Sequence, residues 1–254
     1  MKLKGKVAIV TGASRGIGKA IAFGLAREGA DVVIAARTAT ENPKLPGTIY
    51  KTAEEICAAS GNAIPIKCDI TIEEDVNRMV TQTVEKCGRI DILVNNAGIA
   101  FYAPAAEMPV KRWDIVMAVN LRGTFLCTKV VLSKMIEQRS GSIINIGSMA
   151  ASRRIFNPEG IAYVVSKAAI ERFTTALAAE VGQYNIAVNC LKPRWIVVTE
   201  GMKFRNPEID HTKWDSPYKM VAAAQFLAAQ DANGITALIA TDEEICLWHN
   251  LTVE

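Results

Sequence analysis

Short runs of consecutive apolar residues recur along the chain, at Val7 to Thr11, Val32 to Ala36, Ile64 to Cys68, Ile90 to Asn95, Ser142 to Ile146, Ile186 to Leu191 and Ile235 to Ala240. They are rich in β-branched side chains and too short for helices, which marks them as strands. Being apolar on both faces, they suit a parallel sheet covered by helices on each side. The stretches between them carry helical periodicity, over Gly16 to Glu28, Thr48 to Ala59, Ile72 to Lys86, Val110 to Gln138, Ile161 to Tyr184 and Pro217 to Ala229. The alternation predicts one α/β domain over residues 1–254, a Rossmann-type doubly wound parallel sheet with helices on both faces. No linker, repeat or low-complexity tract divides it. Thr38 to Gly47 and Thr199 to Ser216 lack periodicity and are expected to be loops, where specificity tends to sit.

Composition narrows the class. Half of the 254 residues are hydrophobic, enough for a large core. The formal charge of +3 comes from 29 basic and 26 acidic residues spread along the chain. No basic run resembles a nucleic-acid or membrane footprint, so neither partner is expected. The six cysteines have no CxxC pairing and read as reduced packing residues. His211 and His249 are isolated and give no metal-site spacing. The opening MKLKGKVAIVTG has only a strand-length apolar run before a glycine turn, unlike a signal peptide. No segment reads as the roughly 20 apolar residues of a membrane span. A cytoplasmic protein without a membrane span is expected.

The turn Thr11-Gly12-Ala13-Ser14-Arg15-Gly16-Ile17-Gly18 follows the first strand and opens a helix. In that context a glycine-rich loop presents backbone N–H groups and a helix N-terminus to a pyrophosphate. NAD-binding folds of this type place an acidic residue at the end of the second strand, whereas a nearby arginine accommodates the 2′-phosphate of NADP. Here that position is Ala36, followed by Arg37, and Arg15 lies within the turn. Charge complementarity favours NADP(H), with NAD(H) also possible; solvated surface arginines are the other reading. Asp69, ending the third strand, either meets an adenine amino group or caps the following turn.

Tyr163 and Lys167 are four apart in a helical stretch and so share a face. A free phenol ionises near pH ~10; a neighbouring ammonium stabilises phenolate and makes the tyrosine a general acid or base near neutrality. Ser148 leaves a strand at its carboxyl end, the ligand-binding edge of such sheets, where its hydroxyl can donate to a carbonyl oxygen.

TGASRGIG (Thr11 to Gly18), NNAG (Asn95 to Gly98), NLRGTF (Asn120 to Phe125), IGS ending at Ser148 and YVVSK (Tyr163 to Lys167), in this order, resemble the short-chain dehydrogenase/reductase family. The resemblance implies a catalytic set of Asn120, Ser148, Tyr163 and Lys167. Ser148 polarises the substrate oxygen, Tyr163 transfers the proton, Lys167 tunes the tyrosine and holds the nicotinamide ribose, and Asn120 positions a relay water. It further implies cofactor contacts from Gly12, Ser14, Arg15, Gly16, Ile17, Gly18, Arg37, Asp69, Ile70, Asn96, Ala97, Gly98, Pro193 and Thr199, no metal, and a homodimer or homotetramer. Asn95 would support the central sheet.

The chain departs from the common pattern in a Ser148-to-Tyr163 loop two residues longer than usual and in Lys192-Pro193-Arg194 for the usual Pro-Gly. Near the C-terminus Ala240 to Ile245 replaces the usual Val-Asp-Gly-Gly. With the insert ARTATENPKLPGTIYKTAEEI, these resemble a branch holding hydroxysteroid dehydrogenase-like proteins and bacterial citronellol/citronellal dehydrogenases. A lipophilic carbonyl or alcohol substrate is implied.

Tyr102, Met149, Phe156, Trp195, Met202, Phe204 and Trp214 fall in loops at the expected ligand edge and suggest an apolar pocket; residues 194–216 form the expected substrate loop. Arg153, Arg154, Lys203, Arg205 and Lys213 lie near it. They are either a solvated rim or a receptor for the phosphates of an acyl thioester, so a 3-oxo-acyl-thioester reductase remains an alternative. A cofactor-binding sensor with little turnover is the rival from another class.

Overall fold

A computed structural model of the chain describes residues 1–151 and 160–253. Seven strands, β1 (Val7–Thr11), β2 (Asp31–Ala36), β3 (Asn62–Lys67), β4 (Ile92–Asn95), β5 (Gly141–Ile146), β6 (Ile186–Lys192) and β7 (Ile239–Thr241), form one sheet. Their order is β3-β2-β1-β4-β5-β6-β7, and every neighbouring pair is parallel. Strand order turns between β1 and β4, so the loops leaving those strands diverge and open a crevice at the carboxyl edge.

The helices are α1 (Gly16–Arg27), α2 (Ile49–Ala58), α3 (Glu73–Cys87), α4 (Val110–Met117), α5 (Gly123–Gln138), α6 (Ile161–Val181), α7 (Glu200–Arg205), α8 (Tyr218–Ala228) and α9 (Asp242–Trp248). Strand side chains alternate between two cores, as a period of two requires. Val10, Ile34, Ile92 and Ile144 pack with Ile21 and Leu25 of α1, Ile56 of α2 and Leu227 of α8. Ile9, Val33, Leu93 and Ile143 face the other way, onto Met79 of α3, Val131 and Met135 of α5 and Val181 of α6. The doubly wound α/β architecture expected from the sequence is the one observed.

Several details differ. The helix expected to run unbroken from Val110 to Gln138 carries a π-helical turn over Ala118–Arg122. The same 110–138 stretch is long and apolar enough to cross a membrane by length and composition, which corrects the reading that no segment approaches a span. Here it packs as a core helix, with Leu126, Cys127, Val131 and Met135 buried. The expected loop 199–216 holds α7, capped by Thr199, whose hydroxyl accepts from Met202 N at 3.2 Å.

The last strand is shorter than expected, because Ala237 takes a positive φ of 60° and the Asn189 side chain pairs with the backbone of Ile235 and Leu238. Beyond it, α9 starts on a capping box in which the Thr241 hydroxyl accepts from Glu244 N and the Glu244 carboxylate accepts from Thr241 N.

Candidate active site

The segments leaving β1 and β4 lock together through side chains. The Thr11 hydroxyl donates to Val94 O at 3.2 Å and accepts from Asn96 N at 3.0 Å and Ala97 N at 3.1 Å. The Asn96 amide donates to Thr11 O at 2.9 Å and Gly12 O at 3.3 Å. Gly18 sits directly beneath that amide: a Cβ there would lie 2.3 Å from Asn96 Nδ2 and 2.7 Å from Gly12 O. The glycine turn and the NNAG segment are therefore one packed unit, and only a residue without a side chain fits between them. At the start of α1, Gly16 N donates to Glu200 Oε2 at 3.0 Å, so this helix end already accepts an anion.

Along the second strand the crevice continues to Arg37, whose Nη1 lies 3.7 Å from Asp69 Oδ2. Asp69 Oδ1 accepts from Thr71 N at 3.0 Å and Thr71 Oγ1 at 2.7 Å, so it caps the following turn while also lining the cleft. Arg15 is committed to the backbone of the insert.

Ser148 follows β5, and α6 carries Tyr163 and Lys167 on one face. Lys167 Nζ donates to Ile146 O at 2.6 Å and lies 5.8 Å from the centroid of the Tyr163 ring. Asn120 sits in the π-turn, where widening of the helix brings its amide round to the strand β4 loop. Its Oδ1 accepts from Ile99 N at 2.8 Å, and its Nδ2 donates to Ile99 O and Ser166 Oγ, both at 2.9 Å. Gly98 lies where these parts meet, since a Cβ there would be 3.5 Å from Asn120 Oδ1 and 3.7 Å from Lys167 Nζ.

Behind them, Asn95 Nδ2 donates to Thr128 Oγ1 and Asn145 Oδ1, and Asn145 Nδ2 donates to Thr174 Oγ1. This buried ladder fixes β4 and β5 against α5 and α6, and with them the placement of Tyr163 and Lys167 relative to Ser148.

Residues 6–210 match the family model for short chain dehydrogenase. The chain belongs to that family. Within the short-chain dehydrogenases, hydroxysteroid dehydrogenase-like protein 2 of Danio rerio is 37% identical over 244 residues, covering 96% of this chain and 58% of the relative. The Bos taurus protein of the same name is 42% identical over 201 residues, covering 79% of this chain and 48% of the relative. The chain thus spans about half the length of these relatives. Among solved structures, a short-chain type dehydrogenase/reductase from Mycobacterium marinum superposes with a TM-score of 0.82 at 30% identity, over 94% of each chain. A metagenomic short-chain oxidoreductase in complex with NADP does so at 0.80 and 30%, over 95% of this chain and 98% of the other.

All the cofactor contacts implied by the short-chain dehydrogenase motifs, from Gly12 and Ser14 through Ile70 to Pro193 and Thr199, line a single cleft of about 580 Å³. Tyr163 and Lys167 open into the same space. Of the expected pocket residues, Tyr102, Met202, Phe204 and Arg205 line it. Trp195 instead lies against the Arg194 guanidinium at 4.8 Å, and the Trp214 ring sits tilted against His211 at 4.4 Å. Met149, Lys203 and Lys213 are not among the lining residues, and Arg153, Arg154 and Phe156 lie outside the described residues. Burial pushes the thiols of Cys68 and Cys190 up to about 12, in keeping with packing residues.

Burial dominates the electrostatics of the tyrosine and lysine pair. Burial raises the Tyr163 phenol above its usual value, while hydrogen bonding with Ser148 and the charge of Arg205 pull it back. Lys167 is turned to Ile146 O, and its own burial lowers it to about 8. Contributors that escaped the sequence reading include Glu200, Leu45 of the insert and Ile99. Leu45 and Ile99 are apolar loop residues with no chemistry to announce them, and Glu200 meets Gly16 across 184 residues of sequence.

Proposed function

We propose that this chain is an NAD(P)-dependent oxidoreductase acting on a lipophilic carbonyl or alcohol, with NADP(H) preferred. The observation that carries the reading is the convergence of Tyr163 and Lys167 on the cleft formed by the glycine turn. The residues fit a dinucleotide: the close cradle of Gly18 under Asn96 and a helix end that already takes a carboxylate are what a pyrophosphate needs. The turn from Gly12 to Gly18 would hold the pyrophosphate, Arg37 a 2′-phosphate, Lys167 the nicotinamide ribose and Thr199 the carboxamide. When bound, the nicotinamide supplies or accepts hydride.

The chain's own part is proton chemistry and orientation. The Ser148 hydroxyl donates to the substrate oxygen and holds it beside the Tyr163 phenol. In reduction Tyr163 gives its proton to that oxygen; in oxidation it takes the proton back. Lys167 supplies positive charge next to the phenol, and Asn120 holds the Ile99 backbone that borders it. Met202, Phe204 and Tyr102 offer apolar area for the substrate, while Arg205 on the same wall supports the acyl-thioester alternative. Exposed Ile115, Phe125 and Val165 on α4, α5 and α6 support a homodimer or homotetramer.

The test is titration with NADPH and NADH, then absorbance at the reduced-nicotinamide band against lipophilic ketones, aldehydes and acyl thioesters. Binding with turnover supports the proposal; failure to bind either cofactor overturns it, and binding without turnover on the panel favours the sensor. Light scattering on the same preparation reads the oligomer, and a monomer would refute that part.

A pH dependence follows from Lys167. Burial disfavours its ammonium, so the charge is present below pH about 8 and lost above it. Values of kcat/KM for NADPH, which report ionisations before the cofactor binds, are expected to fall as pH rises through that value. Lys167→Arg, whose guanidinium stays charged, should flatten this limb. A flat wild-type profile across the same range would remove the lysine charge from cofactor capture.

A further inference from the structure

The segment between β2 and α2 lies directly on the glycine turn. Arg15 Nε donates to Pro46 O at 2.9 Å, and its Nη2 donates to Gly47 O at 2.7 Å and Leu45 O at 3.2 Å. Gly47 has a φ of +106°, and a Cβ there would lie 2.5 Å from Ser14 O, so the two backbones touch. From the first turn of α2 the Thr52 hydroxyl donates to the same Ser14 O at 3.3 Å. Leu45 and Thr38 reach into the cleft beside Arg37.

The planar fork of Arg15 therefore spans three consecutive carbonyls of the insert. A phosphate ligand needs donors directed at the ligand, and two of the three guanidinium nitrogens here are spent on backbone. Arg37, by contrast, is 62% exposed in its side chain and, among the described residues, is held only by the long 3.7 Å pair to Asp69. Such an exposed pair is weak, leaving Arg37 donors to meet an anion.

Resting on the nicotinamide-cofactor reading, we infer that Arg15 is a positioning residue that clamps the insert Thr38 to Gly47 as a wall over the adenosine end of the cleft. Discrimination of the 2′-phosphate then falls on Arg37.

Arg15→Lys separates a clamp from a phosphate ligand. Lysine keeps a point charge that still attracts phosphate, but it cannot bridge three carbonyls. The clamp expects Arg15→Lys and Arg15→Ala both to weaken NADPH and NADH binding by similar factors, roughly tenfold for the loss of one to two net hydrogen bonds. The NADPH-to-NADH ratio stays unchanged in both, whereas Arg37→Ala lowers NADPH binding alone. A second readout needs no cofactor: tryptic cleavage after the exposed Lys44, followed by mass spectrometry, accelerates several-fold in Arg15→Lys.

Selective loss of NADPH in Arg15→Ala with rescue by Arg15→Lys would overturn the inference and make Arg15 a phosphate ligand. Equal lability of wild type and Arg15→Lys at Lys44 would overturn the clamp whatever the titrations show. If the wild type binds neither cofactor, the cofactor reading itself falls, and the wall over adenosine falls with it.

Discussion

Tyr163→Phe is expected to lower turnover by about 10²–10⁴-fold in both directions, the range that a positioned general acid or base contributes. The substitution removes one oxygen and leaves the ring, so the packing of α6 beside Lys167 is preserved. Ser148 loses its phenol partner, and the substrate oxygen loses the only proton-transferring side chain that the catalytic set places beside it. Titration with NADPH should give wild-type affinity, because the contacts proposed for the pyrophosphate and the 2′-phosphate lie on the glycine turn and β2. Single-turnover absorbance on the best panel substrate makes the measurement. Wild-type turnover in Tyr163→Phe would show that the proton comes from elsewhere and would sink the mechanism.

Gly18→Ala should damage both the fold and the cofactor site. The added methyl would lie 2.3 Å from Asn96 Nδ2 and 2.7 Å from Gly12 O, and only the first of these belongs to a side chain that can move. If Asn96 swings away it abandons Thr11 O and Gly12 O, and the turn loses its tie to β4. Overpacking of this kind costs about 1–3 kcal/mol, which for a chain of this size lowers Tm by roughly 2–12 °C. Affinity for either nicotinamide cofactor should fall more than about tenfold, as a shift of the turn misaligns several N–H donors together. Differential scanning fluorimetry and cofactor titration read the two effects. Unchanged Tm and affinity would mean that the turn and the NNAG segment are not the tight unit seen here.

The strands were legible because most are short runs that are apolar on both faces, a pattern that a covered parallel sheet satisfies. Two ends of the sheet were read less well. β3 begins at Asn62, which is exposed, so the pattern became readable only from Ile64. β7 was blurred by Asn189, which takes over the pairing of Ile235 and Leu238 with its side chain. α9 could have been found, since Thr241 and Glu244 spell a capping box in the sequence. The π-turn could not, because residues 110–138 are apolar over so much of their length that the shift of face produced by one extra residue does not stand out.

At the site, Tyr163 and Lys167 were readable because four residues on a helix fix their neighbourhood. What governs their ionisation was not, since burial depends on everything packed around α6 rather than on spacing. Arg15 shows the same limit in another form: its charge and its place in the turn were visible, but the three carbonyls it holds belong to a loop whose path no local pattern specifies.

The Glu200 carboxylate on Gly16 N couples the glycine turn to the opposite wall of the cleft. The donor at the head of α1 is not bare: the chain itself supplies an anion there, from a residue 184 positions away. Glu200 is the first residue of α7, and Met202, Phe204 and Arg205 on that short helix form a wall of the cleft. One short helix therefore carries both the anion that occupies the donor and a wall of the cleft, so what sits on Gly16 N bears directly on the shape of the space beside it.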